Sequence, residues 1–228
     1  MPMSVPRRDP QERGKRLPRA VREKQILDAA VTVFSRNGYH SASMDEISEV
    51  AGISKPMIYA YLGSKEDLFS ACIHREAGEL LDAVVAGIEP DLAPDVQLWH
   101  GLRSFFGYIG ANRESWRVLH RQAGAQGGPF TQEVTAMRHR AVTLVAALLV
   151  RAGSDEGIGE AASQSGEALA AALVGAAESL ADWWLDHPDQ SPGAIAATLM
   201  NMVWLGFGDL VDGQVWLPPS RSGGETHP

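Results

Sequence analysis

The chain has 228 residues, of which 45% are hydrophobic and 21% are charged, a composition typical of a soluble globular protein with enough apolar material for a core. Its single cysteine, Cys72, excludes an internal disulfide. No apolar run follows the basic start of the chain as a signal peptide requires, and the longest apolar runs are too short to span a membrane. We therefore expect a cytoplasmic protein that does not contact a membrane.

The net charge of −8 is unevenly distributed along the chain. Residues 1–75 contain 12 lysines or arginines and 9 aspartates or glutamates, whereas residues 76–228 contain 8 and 19. A phosphate backbone is therefore attracted to the first part and repelled by the second. An acidic total consequently does not exclude nucleic-acid binding, although basic tails that are merely solvated are also common.

Residues 1–20 carry prolines between charged side chains and lack apolar periodicity, so they are expected to form a disordered basic tail. A helical pattern begins near Val21 and contains apolar side chains at helical spacing. Asn37 and Gly38 favour a left-handed stop, which predicts that this first helix ends after Arg36.

Further helices follow, each preceded by a serine whose side chain can accept hydrogen bonds from the first free backbone N–H groups. These serines are Ser43, Ser54 and Ser64. Glu46 completes a capping box with the first of them, and Gly52 ends the short helix that the box opens. Pro56 stands in the first turn of the next helix, where no N–H is needed. The helix after that is expected to run to about Gly87.

The remainder of the chain alternates helical patterns with short breaks rich in glycine or proline. The breaks fall at residues 124–129, 153–159 and 187–192. Valines and isoleucines recur at helical rather than alternating spacing, so no strand is expected. The sequence predicts an all-α fold of about nine helices.

Residues 44–62 have the pattern of a helix-turn-helix, in which two short helices cross at a tight turn. Gly52 stands where the turn needs positive φ. Apolar side chains can meet across the turn: Ile47, Ala51, Ile53, Ile58 and Leu62. The other side of the second helix is left exposed, and it carries residues suited to phosphates and base edges: Lys55, Met57, Tyr59, Ala60 and Tyr61.

In this region the sequence resembles the TetR family of bacterial transcriptional regulators. The resemblance covers roughly residues 21–70 and rests on many ordered positions. The matching segments are 26–30, Phe34, 38–39, Ile47, 51–55, 58–62 and 64–68. Two positions depart from the family pattern: Ser48 replaces the usual alanine and Leu62 the usual phenylalanine. Both lie on the packing side rather than on the side expected to contact DNA.

The resemblance implies that residues 21–70 are a DNA-binding domain and that Lys55–Leu62 is its recognition helix in the major groove. Tyr59, Tyr61 and Lys65 would contact phosphates, while Lys55, Met57 and Ala60 would face base edges. Ser43 and Ser54 are also expected at the DNA surface. Core packing of the two tyrosines and a solvated ion pair for Lys65 are the alternatives.

The resemblance also implies that residues 71–217 form a helical ligand-binding and dimerisation domain, followed by a disordered tail at residues 218–228. Small and apolar residues on the last two helical stretches are expected at a homodimer interface: Ala168, Ala172, Gly175, Leu199, Met202 and Val203. These residues could instead pack within one subunit. Four residues on the middle helices are expected to line a pocket: Trp99, Phe106, Trp116 and His120. Plain core positions are the alternative for these residues.

The expected partners are therefore double-stranded DNA carrying an inverted repeat, a second copy of the chain and an unknown small effector. We expect a repressor that an apolar or aromatic molecule releases from its operator. Control by a protein partner without a small-molecule pocket, or activation, remains the alternative. No cofactor, metal or catalytic residue is expected. The G-x-G-x-x-A run at residues 157–162 lacks a preceding strand, no histidine pair has zinc-ligand spacing, and Cys72 has no evident base.

Overall fold

The computed structural model of the protein describes residues 17–122, 128–155 and 159–211. In these ranges every regular element is helical and nine α-helices are present, which confirms the predicted all-α fold. The described chain divides into two compact units between Cys72 and Ile73. Several predicted segments lie wholly or mostly outside the described residues: the tail at 1–20, the break at 124–129 and the tail at 218–228.

The first unit is built from short amphipathic helices around a small core. Its elements are α1 (Arg19–Ser41), α2 (Met44–Ala51), α3 (Lys55–Leu62) and the first turns of α4 (Lys65–Gly87). Ile26, Ile47 and Ile58 contribute fully buried side chains, one from each of the first three helices. The rings of Phe34 and Phe69 meet edge to face with centroids 4.8 Å apart.

The first helix differs from its prediction at both ends. It begins at Arg19, two residues before the predicted start. Gly38 has φ 73° and ψ 164°, so the regular helix is interrupted at the predicted stop. The chain then makes one further helical turn to Ser41, closed by a hydrogen bond from the Ala42 N–H to the Gly38 carbonyl of 3.1 Å.

The second unit contains the rest of α4 and all later helices. These are α5 (Pro94–Ala111), α6 (Arg113–Trp116), α7 (Gly128–Asp155), α8 (Gly159–Asp186) and α9 (Pro192–Val211); α6 continues directly into a π-helical segment, Arg117–Gln122. α7 packs along α8, and α9 packs on both α5 and α8. The core between them contains Phe106 and Ile109 of α5, Trp184 of α8 and Ile195 of α9, all almost fully buried.

Among the described residues, the segment Gly166–Asp186 of α8 is long and apolar enough to cross a membrane by length and composition. Core helices of globular proteins share this property. Acidic side chains of the segment also have partners in the same unit: Glu178 lies 3.2 Å from Arg138 and Asp182 lies 2.7 Å from His120. These pairs are typical of a helix packed against other helices.

Candidate nucleic-acid interface and ligand cavity

The turn between α2 and α3 has the geometry that a helix-turn-helix requires. Gly52 adopts φ 63° and ψ 29°, the left-handed conformation predicted for it. The Ser48 hydroxyl donates to the Ile53 carbonyl at 2.8 Å, and the Ile53 N–H donates to the Ser48 carbonyl at 3.2 Å. Ser48, where the family usually has alanine, therefore adds a hydrogen bond across the turn rather than loosening the packing.

The two serines predicted at the DNA surface have different roles. The Ser43 hydroxyl accepts from the Glu46 N–H at 3.0 Å, as the capping box predicts, although the Glu46 carboxylate accepts from Asn37 at 2.7 Å rather than from Ser43. The Ser54 side chain makes no capping hydrogen bond, so the prediction that it caps α3 is wrong. Pro56 removes one of the N–H groups that a cap would bind, and the Met57 N–H donates to the backbone carbonyl of Ser54. The Ser54 side chain is exposed.

The outer side of α3 carries large side chains that are unusually exposed. Met57 is 37% exposed and Tyr59 is 45% exposed, and Ala60 is also exposed. Ile58 is fully buried beneath them, as the helix-turn-helix pattern predicts. Tyr61 is half-buried, so neither tyrosine is fully buried in the core.

The two lysines of the predicted interface have different surroundings. Lys55 Nζ lies 2.9 Å from Asp45 of α2, and this hydrogen bond raises the pKa of Lys55. Lys65 Nζ donates to the His40 carbonyl at 3.1 Å and lies 4.8 Å from the centre of the Tyr39 ring. Partial burial lowers the pKa of Lys65. Both lysines are therefore positioned by neighbours before any DNA is bound.

Sequence reasoning missed two residues next to this surface. The Arg19 guanidinium lies 5.5 Å from the centre of the Tyr61 ring, and Tyr39 lies beneath Lys65. The basic charge of the tail at residues 1–20, which includes Arg19, was a signal for the first. Nothing local in the sequence distinguishes the second from an ordinary core tyrosine.

The second unit contains a cavity of about 110 Å³ with an almost entirely apolar lining. Helices α4, α5, α7 and α8 contribute its aliphatic walls, principally Leu80, Leu81, Val84, Leu98, Leu102, Leu144, Val145, Leu148 and Leu173. Phe105 and Trp116 also line the cavity. Its few polar side chains are Gln97, Arg138 and Glu178.

Of the four residues predicted to line a pocket, Trp116 lines this cavity and the other three lie elsewhere. Phe106 is fully buried in the core, with its ring centroid 6.2 Å from that of Trp184. Trp99 is half-buried, and the Arg103 guanidinium lies over its ring, 5.8 Å from the ring centroid. His120 stacks on Trp116 at 4.8 Å, behind the lining.

A polar cluster supports the cavity wall at Trp116. The indole N–H of Trp116 donates to Asp182 at 2.9 Å, and His120 Nδ1 lies 2.7 Å from the same carboxylate. Glu178 lies 3.9 Å from His120 Nε2 and 3.2 Å from Arg138 Nε. Hydrogen bonding and charge from Glu178 and Asp182 raise the pKa of His120 against the opposing effect of its partial burial.

The six residues predicted at a dimer interface fall into two groups. Ala168 and Ala172 are exposed and Met202 is 63% exposed, whereas Leu199 and Val203 are buried within the chain. Gly175 is half-buried, and a Cβ atom there would lie 3.1 Å from Arg138 of α7. Sequence reasoning missed two exposed indoles on the same two helices, Trp183 and Trp204.

Two short helices crossing at a left-handed glycine, with an exposed aromatic and basic second helix, define a helix-turn-helix DNA-binding protein with a separate helical unit. Comparison with known proteins is consistent with this class. Residues 26–72 match the family described as bacterial regulatory proteins, tetR family, and residues 94–206 match the tetracyclin repressor-like C-terminal domain. The chain belongs to the TetR family and is a DNA-binding transcriptional regulator.

Individual relatives resemble the chain over most of its length. The crystal structure of a TetR-like transcriptional regulator from Rhodococcus sp. RHA1 is 44% identical, with a TM-score of 0.72 over 85% of this chain and 99% of that one. The transcriptional activator FasR of Mycolicibacterium smegmatis is 29% identical over 86% of this chain and 87% of its own. The transcriptional repressor SCO4008 of Streptomyces coelicolor is 30% identical over 59% of this chain and 65% of its own.

Proposed function

We propose that the protein binds an inverted-repeat operator in the cytoplasm as a homodimer, and that a small apolar molecule in the cavity of the second unit releases it from DNA. The observation that supports this most strongly is the apolar cavity itself, lined by five helices of a DNA-binding protein. The cavity favours a small-molecule effector over control by a protein partner alone. Binding of this kind requires neither a cofactor nor catalysis.

The proposed DNA contacts follow from exposure and charge. Tyr59, Tyr61 and Lys65 contact phosphates, and α3 enters the major groove with Lys55, Met57 and Ala60 towards the bases. Ser54 is exposed at the start of α3 and is suited to a backbone contact. The hydroxyl of Ser43 is already engaged in capping α2, so its contribution is to hold that helix.

α4 contributes residues to both units. Lys65 lies in its first turn, and Ala77, Leu80 and Leu81 of its later turns line the cavity. A molecule that changes the position of these later turns therefore acts on the helix whose first turn carries the proposed phosphate contact. The ligand must bind the two arrangements of the helix with different affinity to have this effect.

Homodimerisation is proposed through α8 and α9. Regulators of this family typically dimerise, and the two helices expose Trp183, Met202 and Trp204, which are costly to leave in water. The exposed small side chains Ala168 and Ala172 on α8 permit close approach of a second copy.

We propose repression of transcription as the first candidate for the effect of the protein on its target genes. Activation is the second candidate, because FasR is an activator and matches most of the chain. The direction depends on where the operator lies relative to the promoter. A reporter gene with the operator at its natural position, compared with and without the protein, distinguishes the two.

The central proposal is tested by selecting bound DNA from random duplexes and then measuring operator affinity in the presence of small apolar molecules that shift thermal denaturation. We expect an enriched palindrome with half-sites about one helical turn apart, and weaker operator binding with at least one such molecule. Equal affinity for all duplexes would contradict the operator. Thermal shifts without any change in operator binding would contradict the effector.

A further inference from the structure

Gln97 is a buried amide in the aliphatic lining of the cavity. Its side chain is 4% exposed and lies in the second turn of α5. The amide nitrogen donates to two carbonyls of the segment that precedes α5, Pro90 at 3.1 Å and Leu92 at 2.6 Å. Because a carbonyl can only accept, the nitrogen must face these two groups, and the orientation of the amide follows from the contacts.

The oxygen of the same amide is left without a donor. Gln97 Oε1 is buried and has no hydrogen-bond partner among the described residues. A buried acceptor without a donor costs free energy, and native proteins rarely retain one without a compensating partner. Gln97 lines the cavity of about 110 Å³, which is the larger of the two spaces that its side chain borders.

The other polar side chains of the lining already have partners. Arg138 and Glu178 lie 3.2 Å apart at the cavity wall, so their opposite charges offset one another. A second, smaller cavity of about 40 Å³ adjoins Gln97 and Leu148, and it is bounded by Arg151, which donates to the Pro90 carbonyl at 3.1 Å. Among the polar side chains of the described lining, that of Gln97 is therefore the one with a buried atom that has no hydrogen-bond partner.

We propose, on the basis of the function proposed above, that the effector is an uncharged molecule with an aliphatic body and a hydroxyl or amide N–H that donates to Gln97 Oε1. The aliphatic walls select the body, and the unpaired oxygen selects a donor at one end. A carboxylate at the same place would set negative charge against the lone pairs of Oε1 and would leave that oxygen unsatisfied. The amide nitrogen thus holds the segment that precedes α5, and the amide oxygen accepts a hydrogen bond from the ligand.

Three probes of similar size distinguish a ligand with a hydrogen-bond donor, a ligand with only an acceptor and a ligand with a negative charge. They are 1-octanol, its isomer heptyl methyl ether, which has no donor, and octanoate. Isothermal titration calorimetry on the full chain at neutral pH should show that 1-octanol binds about three- to tenfold more tightly than the ether, the range expected for one net hydrogen bond. Octanoate should bind more weakly than 1-octanol. Equal affinities for alcohol and ether, or tighter binding of octanoate, would overturn the inference.

The variant Gln97→Met tests whether Gln97 causes the preference for a ligand with a hydrogen-bond donor. It removes the acceptor at similar side-chain length, and the alcohol should then bind no more tightly than the ether. Gln190→Met makes the same change at an exposed position between α8 and α9 and should keep the wild-type ratio. A Gln97→Met protein that retains the preference would contradict the assignment. Should this variant unfold on loss of its loop contacts, the wild-type comparison of alcohol with ether decides the question.

The outcomes for the inference and for the proposed function differ. If none of the three probes binds, the apolar effector fails and the inference fails with it. If alcohol and ether bind equally and both weaken operator binding, the sensor function stands and only the donor at Gln97 is wrong.

Discussion

At the residue scale, Lys55 and Lys65 differ in what holds them. Lys65 is held by a backbone carbonyl and an aromatic face at the start of α4, a position suited to a phosphate. Lys65→Ala is therefore expected to weaken binding to all duplexes and to reduce the salt slope by about one unit. Fluorescence anisotropy at several salt concentrations measures both effects.

Lys55→Ala is the matched substitution on α3. Lys55 is held by the carboxylate of Asp45, and in the complex it is expected to exchange this partner for a base edge. Its loss should alter which bases are preferred, by about 1–3 kcal/mol at the affected position. A change of preference in Lys65→Ala, with only a change of salt slope in Lys55→Ala, would reverse the two assignments.

Gly52 permits a direct measurement of what the turn conformation costs. A Cβ atom at Gly52 would meet nothing within 4 Å, so the effect of Gly52→Ala comes from its φ of 63° alone. We expect a loss of about 1–2 kcal/mol in the free energy of unfolding, from the cost of left-handed backbone in an alanine. Urea denaturation followed by circular dichroism measures the change.

Gly78→Ala serves as the control for this measurement. Gly78 lies inside α4, and a Cβ atom there also meets nothing within 4 Å, but its φ is not positive. The same substitution should stabilise the protein by about 0.5–1 kcal/mol, because alanine favours a helix interior over glycine. A destabilisation of equal size at both sites would mean that backbone conformation is not the cause.

At the element scale, helix starts were more predictable than the surfaces that helices form together. Ser43 and Gly52 act through neighbours within a few residues, so their roles could be inferred from spacing alone. Ser54 was predicted wrongly because the cap depends on which N–H groups Pro56 leaves available. Local rules identify a helix boundary but not always the atom that satisfies it.

The cavity could not be predicted from any single helix. Phe106 and Trp116 both lie on apolar faces, and only the mutual packing of five helices decides that the second lines the cavity and the first fills the core. Gln97 was not singled out, although a glutamine on the apolar face of α5 was a usable signal. Aromatic content was a poor guide, since the lining is mainly aliphatic.

Filling the cavity should separate ligand response from DNA binding. Ala141 of α7 lines the cavity and is only half-buried, so Ala141→Leu extends a larger apolar side chain into the open space. We expect unchanged operator affinity and a loss of the response to any apolar effector, measured by anisotropy with labelled operator. Ala147→Leu, on an exposed position of the same helix, should retain the response. An unchanged response in the cavity variant would place the effector elsewhere.

The polar cluster between α8 and the π-helical segment should make the stability of the second unit depend on pH. Glu178 and Asp182 raise the pKa of His120 in the folded chain above its ordinary value near 6.5. The contribution of this cluster is therefore fully present below the unfolded pKa and is lost as the pH rises through the folded pKa.

The free energy of unfolding of the wild-type protein relative to His120→Gln should thus fall as the pH is raised from about 6 to 8. Urea titrations of both proteins at several pH values give this difference. A difference that grows with pH would show that His120 is held neutral, despite its two carboxylates.

At the scale of the whole molecule, the charge asymmetry suits a protein whose two units have separate tasks. The first unit carries more basic than acidic side chains, and the second is strongly acidic and contains the cavity. An acidic second unit keeps the phosphate backbone away from the cavity-bearing surface. We therefore expect DNA to approach the first unit rather than the second.

Dimerisation through α8 is the remaining prediction at this scale. Ala172 is exposed in the single chain, so Ala172→Glu leaves the fold of one subunit undisturbed. If this position meets a second copy, the same change buries a charge at the interface, which costs several kcal/mol or separates the subunits. Operator affinity should then collapse, because one half-site provides far less binding free energy than two.

Sedimentation velocity on Ala172→Glu, with Ala86→Glu as its control, decides whether α8 lies at the interface. Ala86 is an exposed alanine of α4, so the control adds the same charge on a helix that is not proposed to meet the second copy. We expect a folded monomer with weak operator binding for the first variant and a dimer with unchanged sedimentation for the second. Circular dichroism verifies that both variants are helical. A dimer of Ala172→Glu with wild-type operator affinity would place the interface on another surface, and the exposed Trp183 and Trp204 would then need a different partner.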